Sequence, residues 1–175
     1  MTKILFLIAP ENFRDEEYLK PKKIFEDSGI EVVTCSLRKG RCSGMLGATA
    51  EAELSVEDSL GRVEEFDALV IAGGSGAVAL IENEDVAKLV KEFYENGKVV
   101  AAICISPSIL AKAGILKGKR ATVWSSPLDK SFIKYLEEGG ATYVKEKVVR
   151  DGKVITASGP EAAEEFGKKI VELLR

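Results

Sequence analysis

The chain has 175 residues, of which 46% are hydrophobic and 30% charged, with a formal net charge of −3 and a pI near 5.3. That length carries one domain, residues 1–175, with a sizeable apolar core and no need of disulfide staples. The mildly acidic balance speaks against a nucleic-acid partner or an anionic membrane surface, and no apolar run reaches the length of a membrane span, so a cytoplasmic location is expected. Histidine is absent, which removes every Cys-His and Ser-His mechanism and the commonest transition-metal ligand. The cysteines Cys35, Cys42 and Cys104 have no CxxC spacing and form neither a disulfide framework nor a zinc site. No metal and no cofactor is expected. Glutamine is also missing while Glu and Lys are plentiful, a bias that fits a hot-living source.

Lys3 to Ala9 reads as a first buried strand, followed by a loop from Pro10 to Arg14. A helix from about Glu16 to Ser28 comes next, with Asp15 read as its N-cap. Pro21 lies inside that helix and should kink it or delay its regular part. Glu31 to Ser36 is a second strand. Gly40, Gly44 and Gly47 punctuate the next segment, and Thr49 to Leu54 alternates weakly, as in an edge hairpin. The semi-apolar loop from Cys42 to Gly47 is a turn or, on a sharper reading, a subunit contact.

Asp67 to Ala72 is another buried parallel strand, ending in Gly73-Gly74-Ser75-Gly76. A helix from about Asp85 to Glu95 follows, stopped by Gly97. Val99 to Ile103 is a β-branched apolar run, and Pro107 opens a short helix that ends at Gly114. Ala121 to Trp124 reads as a strand, Pro127 to Glu138 as a helix, and Tyr143 to Thr156 as a hairpin turning at Asp151-Gly152. Gly159-Pro160-Glu161 opens the last amphipathic helix. Alternating β and α elements give an α/β fold, a doubly wound parallel sheet with a small antiparallel edge.

Cys104 falls on the turn between a strand and a helix, at the carboxyl edge of the sheet, where open α/β folds bind ligands. A helix N-terminus behind it favours thiolate, and the same turn presents the nucleophile in hydrolases. Against this, cysteine is among the most buried residue types. Gly73 to Gly76 lacks the spacing of a phosphate loop and is either a tight turn or a loop whose N–H faces a reacting oxygen. In the second case an oxyanion pocket forms between the N–H groups of Gly74 and Ile105. Glu11, Asp15, Glu16 and Glu17 crowd the loop after the first strand. One of them facing the thiol would be a proton shuttle, its own pKa raised by burial beside sulfur; composition does not choose among the four. Trp124 is a core or interface residue or a substrate wall.

Ala101-Ala102-Ile103-Cys104-x-x-Pro107, Phe66 to Val70 running into Gly73-Gly74, Gly114 to Lys119, and Ser158-Gly159-Pro160 together resemble the ThiJ/PfpI superfamily. The resemblance implies a flavodoxin-like three-layer α/β/α sandwich of the class I glutamine amidotransferase type, usually a homodimer, with a nucleophilic cysteine at Cys104. It selects Glu17, four residues before Pro21, as the partner carboxyl, places Gly74 and Ile105 as the oxyanion donors, and adds Gly73, Ser75, Trp124 and Ser158 as pocket residues. Family proteases and glyoxalase-like members typically carry His directly after the cysteine, where this chain has Ile105, so a protease dyad is unavailable. Three readings follow: a glyoxalase- or deglycase-like enzyme acting on a small reactive carbonyl, a redox or stress-responsive protein with an oxidisable Cys104, and a non-catalytic chaperone-like dimer.

Overall fold

The computed structural model describes residues Met1–Arg175. In chain order the elements begin with β1 (Lys3–Leu7), β2 (Glu11–Phe13), α1 (Asp15–Asp27), β3 (Glu31–Ser36), β4 (Gly40–Gly44), β5 (Thr49–Ala52), β6 (Leu54–Ser55) and α2 (Val56–Ser59). There follow β7 (Ala68–Ile71), α3 (Val78–Ile81), α4 (Glu84–Glu95), β8 (Val99–Ile103), α5 (Pro107–Lys112) and β9 (Arg120–Ala121). The chain closes with α6 (Ser131–Glu138), β10 (Thr142–Tyr143), β11 (Val148–Asp151), β12 (Val154–Ala157) and α7 (Ala163–Leu174).

The main sheet has the order β11-β12-β8-β7-β1-β3-β6, parallel throughout except for the edge pair β11–β12. Its centre, β3-β1-β7-β8-β12, is the flavodoxin-like order: the chain winds outward from β1 to β3, then returns to the other side of β1 at β7. Residues of β1, β7 and β8 are buried almost without exception because helices cover both faces, α1 and α7 on one and α4 and α5 on the other. The point where the winding reverses lies between β1 and β7. Their carboxyl ends, with that of β8, leave a crevice there.

Several elements differ from the sequence reading. Asp15 does not cap α1. Its carboxylate instead accepts from the backbone N–H of Leu46 at 2.9 Å and of Ala48 at 2.8 Å, tying the β4–β5 turn to the helix start. Pro21 neither breaks nor delays α1, which is helical from Asp15 onward. The expected loop at Pro10–Arg14 contains β2, which pairs with β4 in a small second sheet. The expected strand at Ala121–Trp124 shrinks to Arg120–Ala121, because the Thr122 amide bonds the Thr156 side chain at 2.9 Å rather than a strand neighbour. The helix expected from Pro127 starts at Ser131, since Ser126 and Asp129 close a turn ahead of it. The hairpin loop is Gly152-Lys153, one residue later than read, with Asp151 paired to Val154 and Gly152 at φ 63°.

Candidate active site

Cys104 is one of two non-glycine residues with positive φ, at 66°. That conformation costs about 1–3 kcal/mol and persists only where neighbours enforce it. Here they do. The Cys104 amide donates to Ala157 O at the end of β12 (2.9 Å), and its carbonyl accepts from the Trp124 amide (2.8 Å). The next turn is fixed by Ser106, whose hydroxyl donates to Ala72 O beyond β7 at 2.7 Å. The elbow is therefore clamped to both neighbouring strands, and the thiol is thrust into the crevice.

Glu17 projects from the first turn of α1 and is fully buried; its Oε1 accepts the Gly73 N–H at 2.9 Å. Oε2 has no partner of ordinary geometry within the protein, and the group coupled to this carboxyl is the Cys104 thiol. A methyl on Gly73 would sit 2.5 Å from Cys104 Cβ, 2.7 Å from Glu17 Oε1 and 2.8 Å from Ile103 O, so the slot between thiol and carboxyl admits only a glycine. At Gly74, φ is 107° and a side chain would strike the backbone of Asn12 and Arg14.

Burial pushes Glu17 up to about 7, against the opposing pull of the thiol and the Gly73 amide. The Cys104 thiol is pushed well above its usual range, first by burial and then by the Glu17 charge, while the N–H groups of Gly74 and Ile105 draw it back down. Two such coupled acidic groups lose their protons in two steps that belong to the pair, and the pair carries a negative charge once the first proton has left. The helix-end effect read from the sequence is therefore outweighed by desolvation. Nor is the thiol open to bulk solvent: Cys104 is 9% exposed and reaches water only through the cavity it lines.

That cavity, of about 360 Å³, is floored by Cys104, Glu17, Gly74 and Ile105. Ser75 and Trp124 line it. Trp124 is held edge-on against Phe132, with ring centroids 6.1 Å apart. Gly73 lies behind the thiol and serves the site through its N–H to Glu17. Ser158 is a correction: it lines a neighbouring depression with Thr122 and Lys147, its amide tied to Lys147 O at 2.9 Å, and Pro160 reaches the cavity in its place. Arg14, Met45, Val78, Phe132 and Pro160 were not singled out from the sequence. For Arg14 a signal existed, since it stands among the four carboxylates on the same loop. Met45 comes from the loop read as a turn or subunit contact, and its Sδ faces the Ser75 amide at 3.4 Å. No group of three or more Cys, Asp or Glu converges to hold a metal ion.

The sequence profile of the DJ-1/PfpI family matches residues 2–173. The chain belongs to the DJ-1/PfpI family. It is 44% identical over 173 residues to an uncharacterized protein of Methanocaldococcus jannaschii, covering 98% of this chain and 82% of that one. It is 32% identical over 173 residues to a protein of Thermococcus kodakarensis named a deglycase, covering 99% of each. Among solved structures, a ThiJ/PfpI domain protein from Brachyspira murdochii superposes with a TM-score of 0.91 at 33% identity, covering 98% of this chain and 95% of that one. The Brachyspira protein shares the flavodoxin-like α/β architecture described above.

Proposed function

We propose that this DJ-1/PfpI chain is a cysteine-dependent enzyme acting on small reactive carbonyl compounds, of glyoxalase or deglycase type. The observation that carries the reading is the clamped Cys104 elbow with a buried carboxyl coupled to its sulfur and two backbone N–H groups turned toward it. The deglycase name of the Thermococcus relative supports it. In this mechanism the thiol proton passes to Glu17, and the sulfur adds to the carbonyl carbon. The π-electron pair moves to oxygen, the oxyanion is held by the N–H groups of Gly74 and Ile105, and Glu17 returns the proton to it. The product of this step is a hemithioacetal.

Hydrolysis of peptides by a Cys-His dyad is not proposed, because the chain has no imidazole. Replacement of Cys104 by Ala should abolish methylglyoxal consumption; unchanged consumption would remove the enzyme reading. A second reading, a redox-responsive thiol, is favoured by the same carboxyl, which when protonated can donate a hydrogen bond to a sulfinate on Cys104. The proposal includes a homodimer, as the family resemblance implies, and sedimentation as a monomer would strike that part out.

A further inference from the structure

We propose that Arg14 makes this cavity selective for carbonyl compounds that carry a carboxylate, with the carbonyl carbon at Cys104 Sγ and the carboxylate on the Arg14 guanidinium. The inference rests on the carbonyl chemistry proposed above and names its substrate class. Arg14 and Glu17 are the only charged residues lining the cavity, and the apolar side chains of Met45, Val78, Trp124 and Phe132 line it with them. An entering anion therefore meets a single cation, itself partly exposed and paired on one side with Glu16, at the edge of a cavity that is otherwise apolar.

The guanidinium is already oriented. Its Nε and Nη2 donate to the two carboxylate oxygens of Glu16 at 2.9 and 3.0 Å, which uses one edge of the fork. Nη1 and the second hydrogen of Nη2 bond nothing in the protein, and that edge has the planar geometry that takes a carboxylate through two parallel hydrogen bonds. The Arg14 backbone is fixed as well, its amide donating to Gly73 O at 2.9 Å, so the cation is tied to the loop that carries the oxyanion donors. The guanidinium is close enough to Glu17 and Cys104 to feel the charge of both.

This placement answers an electrostatic difficulty. Once Glu17 has lost its proton, the carboxylate beside the thiol would repel an anionic substrate from an otherwise apolar cavity. Arg14 offsets that repulsion and turns the substrate's own charge into an anchor. A neutral dialdehyde of the same size offers that edge one uncharged acceptor in place of a two-oxygen anion.

Glyoxylate and glyoxal form a matched pair, differing by a carboxylate in place of one aldehyde. Trp124 is the only tryptophan of the chain and lines the cavity, so its fluorescence reports occupancy independently of turnover. Wild-type protein should half-saturate with glyoxylate at a concentration about tenfold below that for glyoxal, the size of effect expected of a charge-assisted bidentate contact. Arg14→Met should bring the ratio close to one, Arg14→Lys should restore part of it, and Glu16→Gln, which frees the guanidinium from its internal partner, should widen it. A wild-type ratio near one, or a ratio unmoved by Arg14→Met in a protein with an unchanged melting temperature, overturns the proposal. Should Arg14-dependent glyoxylate binding be seen while neither compound is consumed, the anion site stands and the catalytic reading falls.

Discussion

Glu17 carries the largest consequence of any single side chain, because burial holds its proton up to about 7 in the folded protein while the unfolded chain releases it near 4.5. Between those values the native state binds more protons than the unfolded state, so stability falls as pH rises through the window. At about 1.4 kcal/mol per pH unit the loss comes to roughly 3 kcal/mol. Glu17→Gln keeps an oxygen for the Gly73 amide and removes the titration. Urea unfolding at pH 4.5 and pH 8.5 should therefore show the variant gaining on wild type at the higher pH only; an equal difference at both would refute the assignment. The same substitution should lower the Cys104 thiol pKa, since the Glu17 charge helps raise it. It should also erase the rise in activity through about pH 7 that the coupled pair gives wild type. A more stable and less active protein is the expected result, the usual outcome of relaxing a strained polar site.

At the scale of elements, the site exists because three strand ends and one helix start approach within glycine distance. Gly73→Ala tests that closeness. The added methyl would overlap Cys104 Cβ and Ile103 O, backbone and near-backbone atoms with no freedom to retreat. A cost of about 1–3 kcal/mol in denaturant unfolding is expected from such overpacking, together with loss of methylglyoxal consumption; a variant as stable and active as wild type would mean the slot is wider than described.

Much of this architecture was legible in the chain. The β-branched runs at Asp67–Ala72 and Val99–Ile103 announced buried parallel strands, and Cys104 followed by Pro107 announced a strand-to-helix corner. What was not legible depended on partners distant in sequence. Asp15 looked like a cap because local pattern cannot show that Leu46 and Ala48 claim its carboxylate. Thr122 to Trp124 looked like a strand because their composition is right, yet their amides go to the Thr156 hydroxyl and to the elbow carbonyl. Ser158 lies two residues before Pro160, which is the one that reaches the cavity.

For the molecule as a whole, the sheet determines which sulfur meets solvent. Cys35 lies inside the main sheet on β3 and Cys42 in the small second sheet, each with no exposed surface, whereas Cys104 alone lines a cavity. Burial pushes the Cys35 thiol up to about 12, so at neutral pH it offers essentially no thiolate to an oxidant. Cys104 is also raised, but the N–H groups of Gly74 and Ile105 stand ready for negative charge on its sulfur, and the adjoining carboxyl can accept its proton. Peroxide needs a path to the sulfur and a base to take its proton, and the fold brings the two together at Cys104. Mild peroxide treatment followed by intact mass and peptide mapping should add two oxygens at Cys104, as a sulfinate, while Cys35 and Cys42 stay reduced. Glu17→Gln keeps a donor beside the sulfur but cannot take up the thiol proton, so it separates the two roles of that carboxyl. If proton acceptance limits oxidation the variant reacts more slowly than wild type, and if the thiolate population alone governs it the lowered thiol pKa makes the variant react faster. Oxidation spread evenly over all three cysteines would show that the native fold does not protect the two buried ones, and would remove the redox reading along with the claim that the crevice singles out Cys104.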